Sequence, residues 1–247
     1  MYIDRTNSTN TLMKELLARG EWPEGERWLR TDFQSAGRGQ AGNSWESAPG
    51  KNLLCSILID PQQILDKNPF YLNVMVSVAV QRLLGDSFTI KWPNDIYWHD
   101  KKVAGLLVET ALQGGEIKYA IAGIGLNVNQ TEWFSDAPNP ISLQQITGKQ
   151  YDLDTLMQQL LEQVDETLCE DVWQYYKSHL YRREGFWPFV EREVNTEPTM
   201  NAQKDEIQCT KAFMARIEDI LPTGEIVLRD QQNQKRIYHF KQIRYVV

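Results

Sequence analysis

A chain of 247 residues has room for one large domain, or a medium one with a small companion, and its 42% hydrophobic content supplies a genuine core. A net charge of −7, with no run of lysine or arginine, excludes the basic face with which nucleic-acid-binding domains displace counterions. Three scattered cysteines make neither a disulfide framework nor a C-x-x-C pair, and no apolar run is long enough to span a bilayer, so a soluble cytoplasmic protein is expected.

Residues 8–20, STNTLMKELLARG, place Leu12, Met13, Leu16 and Leu17 on one side of a short helix that starts at polar residues and stops at Gly20. ERWLRTDF reads as a strand running into the glycine loop QSAGRGQAG (34–42), and LLCSILID as a buried strand after a turn-rich stretch. PFYLNVMVSVAVQRLLG has helical apolar spacing, although Asn73, Ser77, Gln81 and Arg82 interrupt it. SFTIKWPNDIYW is expected as one strand bent at Pro93. With VAGLLVETAL and IKYAIAGIGLNVN it forms an antiparallel meander turning at HDKK and GG. A loop with a short helix covers 130–150, and Leu156, Leu160, Val164 and Leu168 mark a longer helix capped by Asp152 or Asp154. Beyond Phe189 the polar stretch EREVNTEPTMNAQKDEIQ reads as a linker or edge, leading to short strands sufficient for a small β-barrel. The expected architecture is α+β, with a mixed, largely antiparallel sheet and helices over residues 1–190 and a small β-barrel over 191–247.

Gly37, Gly39 and Gly42 fit G-x-G-x-x-G, the spacing of a dinucleotide fingerprint. That fingerprint needs its last glycine to open a helix, whose N-terminus binds the pyrophosphate. Here Gly42 is followed by NSWESAPG, and Pro49 and Gly50 leave no room for one. No G-K-[ST] occurs anywhere, so a P-loop is excluded as well. What remains is a glycine loop exposing backbone N–H groups, with the planar cation of Arg38 and the aromatic face of Trp45, features suited to an anion beside a base. A plain hairpin with a structural tryptophan is the alternative. Two further stretches stand out. KWPND with KKVAGLLVE gathers Lys91, Asn94, Asp95 and Lys102 around one hairpin, which is either a site or a surface ion pair of little energy. In GIGLNVN, Gly123 and Gly125 inside an apolar strand imply a close approach to the backbone, or a bulge.

Together these stretches resemble the biotin–protein ligase family: STN at 8–10, Q-x-AGRG-x-x-G and its following Trp at 34–45, KWPND at 91–95, K-x-AG-x-L-x-E at 102–109 and G-x-G-x-N at 123–127. The likeness is strong over residues 1 to about 130 and looser to the C-terminus. It implies a class II synthetase-like catalytic domain that activates biotin with ATP and Mg²⁺ as biotinyl-5′-AMP. The biotin then passes to a lysine of a biotin carboxyl carrier protein or carboxylase carrier domain. By resemblance Lys102, Arg38 and Asp95 carry the chemistry, with Asp95 either assisting the attacking lysine or orienting Mg²⁺. Ser8, Thr9, Asn10, Gln34, Gly37, Arg38, Gly39, Lys102 and Gly105 would contact biotin. Arg38, Gly39, Gln40, Gly42, Trp45, Lys91, Asn94 and Asn127 would contact the nucleotide, with Trp45 stacked on adenine. Gln40 stands where many members carry a second basic residue. Seven residues precede Ser8, where ligases that also repress transcription carry a DNA-binding domain. The resemblance is therefore to the monofunctional form, with no nucleic-acid or membrane partner, while a homodimer stays open. The rivals are a lipoate–protein ligase or octanoyltransferase and a non-catalytic biotin sensor.

Overall fold

The computed structural model describes residues 1–64, 68–114, 116–134, 138–192 and 209–246, so most of the EREVNTEPTMNAQKDEIQ stretch lies outside the described residues. The chain divides into two compact units, Met1–Tyr176 and Lys177–Val247.

In the first unit, strands β1 (Tyr2–Thr6), β2 (Trp28–Gln34), β3 (Leu53–Ile59), β4 (Phe88–Lys91), β5 (Asp95–Trp98), β6 (Lys101–Gln113) and β7 (Glu116–Leu126) form one sheet in the order β1-β2-β3-β7-β6-β5-β4. Only the β1–β2 pair is parallel, so the sheet is mixed and largely antiparallel. β1 was not anticipated, and KWPND is not one bent strand. Trp92–Pro93, a cis peptide, lies between β4 and β5, which pair with Lys91 opposite Asp95. Proline can donate no ladder bond, so the chain turns there.

Helix α1 (Thr9–Arg19) lies over β2, β3 and β7, and its Met13 packs on Leu29 and Ile121. Gly20 ends it in the left-handed conformation that favours glycine. Helix α2 (Pro69–Leu84) starts at the Asn68 cap and is buried along nearly its whole length against β4, β5, β6 and a later helix. That later helix is α4 (Leu153–Leu168); before it the short α3 (Leu143–Thr147) opens with a Ser142–Gln145 capping box. The Thr155 backbone N–H and hydroxyl donate to Asp152 and hold its carboxyl below the usual carboxylate range. This cap is complete above the ordinary aspartate pKa and is lost as pH falls through the depressed one. Helix α5 (Trp173–Ser178) follows. Cys55 on β3 is fully buried, which pushes its thiol up to about 12 and leaves it inert. Among the described residues no helix is long and apolar enough to cross a membrane.

The second unit holds β8 (Trp187–Arg192), β9 (Cys209–Ile220), β10 (Ile226–Asp230), β11 (Lys235–Tyr238) and β12 (Ile243–Tyr245), in the order β11-β10-β9-β8-β12. Two expectations change here. The boundary falls before residue 190, because Trp187–Arg192 is a strand of this sheet, paired with both β9 and β12. The small barrel is an open antiparallel sheet among the described residues, since no ladder joins its edge strands β11 and β12. Its core is aromatic, with the fully buried Phe189 ring 4.9 Å from that of Tyr245.

Candidate active site

Three glycines leave a bare floor on the face of the sheet that α1 covers. Gly105 and Gly125 are register partners on β6 and β7, and Gly123 stands two residues along, about 7 Å away. The indole of Trp45 lies directly on this floor. A Cβ on Gly105 would meet its Cζ3 at 2.7 Å, and one on Gly125 would meet Nε1 at 2.7 Å. The Trp45 Nε1 is buried without a hydrogen-bond partner among the described residues. A Cβ on Gly123 would meet Asn10 Cγ at 2.8 Å. The close approach expected from glycine in an apolar strand is therefore made by Trp45 and Asn10.

At one end of the floor the start of α1 gathers neutral polar groups. Ser8, Thr9 and Asn10 are buried, and Ser8 spends no side-chain bond on capping the helix. The Thr9 N–H and hydroxyl donate to Gln34 Oε1 at 2.8 and 3.2 Å. The Ser56 hydroxyl stands 2.7 Å from Thr9 Oγ1 and 2.5 Å from Asn10 Oδ1, and its one hydrogen serves one of them at a time. Asn10 Nδ2 donates to the Leu107 carbonyl and to Glu109 Oε2.

At the other end Lys102 Nζ lies 2.7 Å from Asp95 Oδ1 and 5.6 Å from the Trp45 ring centroid. A Cβ on Gly105 would come within 3.2 Å of that ammonium. The Lys102 backbone is pinned from behind: its N–H donates to Asn139, and its carbonyl accepts from Ile141 N–H and from Asn127 Nδ2 at 3.3 Å. Asn127 is buried and also donates to Ile141, while its Oδ1 has no partner among the described residues. Asn94 is buried too, and its amide donates to Asn73 and to the Leu106 carbonyl. Both asparagines, expected around the nucleotide, bond here to the hairpin and to the backbone behind Lys102. Lys91 Nζ donates to the Tyr97 hydroxyl at 2.9 Å and lies over that ring.

The glycine loop is a closed hairpin. The Trp45 N–H donates to Gly37 and the Gly39 N–H to Asn43, so the Gly39 N–H is not free to face an anion. Gln40–Gly42 is a single 3-10 turn, and Gly42 takes a φ of +86°, where a side chain would be strained. Gly37 answers to space instead, because a Cβ there would meet the Trp45 carbonyl at 2.7 Å. Arg38 leaves the hairpin and pairs with Glu109.

Ser56, Asn52 and Gln130 carry no motif signal, yet they hold the site. Asn52 Nδ2 donates to Gln130 Oε1 at 2.7 Å and to Ser47 Oγ, while its Oδ1 accepts from Val128 N–H. Gln130 Oε1 accepts from the Ala48 N–H as well, so the segment after Trp45 is tied to the end of β7. An Asn52→Ala variant leaves buried donors and acceptors unpaired. It is expected to lose about 2 kcal/mol of stability in a denaturant titration; an unchanged midpoint would show that water replaces the amide.

The family model described as the biotin/lipoate A/B protein ligase family matches residues 2–127. A bifunctional ligase/repressor BirA of Bacillus subtilis is 33% identical over 248 residues, covering 96% of this chain and 71% of that protein. A biotin–[acetyl-CoA-carboxylase] ligase of Paracoccus denitrificans is 30% identical over 158 residues, covering 60% of this chain and 64% of its own. Among solved structures, a biotin protein ligase from Aquifex aeolicus in complex with biotin and ATP shares the fold. Its TM-score is 0.73 at 22% identity, over 100% of this chain and 98% of that one.

Proposed function

Because this chain belongs to the biotin/lipoate A/B protein ligase family, we propose that it is an ATP-dependent biotin–protein ligase acting on a biotin carboxyl carrier domain. The observation that carries this reading is the order of groups along the floor. Neutral hydrogen-bonding side chains at Ser8, Thr9, Asn10 and Gln34 stand at one end, glycine backbone and an indole in the middle, and the Lys102 ammonium at the other. Biotin has the same sequence of chemistries: a neutral ureido head, an apolar chain and a terminal carboxylate.

In the first step a carboxylate oxygen attacks the α-phosphorus of ATP. The new O–P bond forms as the bond to pyrophosphate breaks. Lys102 leaves Asp95 for the oxygens on which charge accumulates, and Arg38 supplies a second cation from the hairpin. In the second step the carrier lysine attacks the anhydride carbonyl, gives up a proton and releases AMP. Asp95, freed of Lys102, is the carboxylate placed to take that proton. Trp45 and the hairpin of Gly37, Gly39, Gln40 and Gly42 cover the intermediate against water, and the indole offers a face to adenine. Among the described residues no cluster of three His, Cys, Asp or Glu could hold a metal, and the Asp95 carboxylate is taken by Lys102. Magnesium would arrive with ATP, and Asp95, once Lys102 leaves it, could orient that ion instead of taking the proton. The net charge of −7 favours a protein carrier over a nucleic acid.

Pyrophosphate exchange into ATP, measured with biotin, lipoate and octanoate separately, tests the reading. Exchange with biotin alone is the expected result. Exchange with lipoate or octanoate instead moves the chain to the lipoate branch of the family, and no exchange from folded protein leaves a sensor.

A further inference from the structure

Glu109 belongs to no role assigned so far, yet it joins the two halves of the site. Arg38 Nη2 donates to its Oε2 at 2.7 Å and Nη1 to its Oε1 at 3.3 Å, so the guanidinium is held end-on by both carboxylate oxygens. The same Oε2 accepts from Asn10 Nδ2 at 2.9 Å. Asn10 is itself locked, its second amide hydrogen on the Leu107 carbonyl and its oxygen against Ser56. Glu109 thus stands on the rigid strand β6 between the glycine hairpin and the start of α1.

We infer that Glu109 is the positioning residue of Arg38: braced by Asn10, it holds the guanidinium end-on so that the remaining N–H edge faces an anionic group of the bound intermediate. The inference rests on the ligase reading and deepens it. A guanidinium carries five N–H donors in a rigid fork, and the pairing with Glu109 uses two. The Nε–H and the outer N–H groups stay free for a phosphate oxygen without releasing the carboxylate. Arg38 is 43% exposed and sits on a hairpin of glycines, so without the carboxylate its side chain samples many rotamers. An ordinary surface ion pair would contribute little and change nothing in the chemistry. The third bond, from a buried side chain that lines the floor, distinguishes this one.

The test compares Glu109→Ala, Glu109→Gln, Arg38→Ala and the double variant. Without carrier protein, the rate at which biotinyl-5′-AMP escapes into solution is expected to rise about tenfold in E109A. E109Q should fall between, because its amide oxygen still accepts one N–H. The double variant should leak no faster than R38A, since both act through one group, and pyrophosphate exchange with biotin should fall in E109A no further than in R38A, where the second cation is lost outright. A merely structural glutamate would lower the melting temperature and leave escape alone. Wild-type escape in E109A, or losses that multiply in the double variant, overturns the inference. The guanidinium N–H resonances of Arg38 in the unliganded protein, identified by their loss in R38A, give a second readout. They should be narrow and slowly exchanging in wild type and absent in E109A. If the wild type forms no adenylate the ligase reading fails, and these resonances alone then decide whether Glu109 holds Arg38.

Discussion

A Lys102→Ala variant should lose biotin-dependent pyrophosphate exchange by about a hundred- to a thousandfold in kcat/KM, the effect of removing one preorganised donor from a developing oxyanion. The same variant should melt within a few degrees of wild type. Lys102 and Asp95 are each about 30% exposed, and a pair so open to solvent contributes little to stability. The separation between a large kinetic loss and a small thermal one is the signature to look for. Lys102→Arg should restore little. The ammonium lies 3.2 Å from where a Cβ on Gly105 would stand, and a planar guanidinium is broader than the point charge it replaces. Exchange within fivefold of wild type in K102A would remove Lys102 from the chemistry and send the search to Arg38 and Lys91.

The second large effect is expected from one methyl group. In Gly125→Ala the new Cβ would lie 2.7 Å from Trp45 Nε1 and 2.8 Å from Cζ2, closer than carbon atoms pack. The indole is rigid and the strand is paired on both sides, by β3 and by β6, so neither yields cheaply. Overpacking of this kind costs about 1–3 kcal/mol, which is about ten- to a hundredfold in biotin affinity if Trp45 moves into the space the ligand needs. Calorimetric titration with biotin reads the affinity, and circular dichroism checks the fold. A Trp45→Ala change in the same chain removes the clash, so the pair should be far from additive. If G125A binds like wild type, or the two losses simply add, the indole does not lie on this floor in the working protein.

The local patterns that were legible are those that repeat within a few residues. The apolar spacing of α2 and α4, the glycine stop of α1 and the turns between β5, β6 and β7 are short-range consequences of helix periods and turn residues. The motif residues were legible by type as well: cations near glycines, and short polar side chains at a helix start. β1 was missed because YIDRT has no alternation strong enough to mark it, and it forms by parallel pairing with β2, across the whole of α1. β8 was missed because it ends in the polar stretch read as a linker, although Phe189 and Val190 are buried once β9 and β12 close on both sides of it. KWPND spans a hairpin turn rather than a bend, and there the proline signal was read with the wrong geometry.

The sequence by itself determined the motif residues, the class of fold and the family resemblance, because these depend on residue type, order and spacing along the chain. Which polar groups face the floor and which stand behind it was decided only by tertiary structure. Asn94 and Asn127 look equivalent to Lys102 and Asp95 in the motifs, but folding buries both asparagines, with amides bonded to the backbone carbonyls of Leu106 and Lys102. Glu109 closes the K-x-AG-x-L-x-E motif with no role until the fold brings Arg38, 71 residues away, and Asn10, 99 residues away, onto its carboxylate. A hydrogen bond acts over about 3 Å whatever the separation along the chain. No local period encodes such a contact, and only the packing of α1 over β3 and β7, with the glycine hairpin beside β6, creates it.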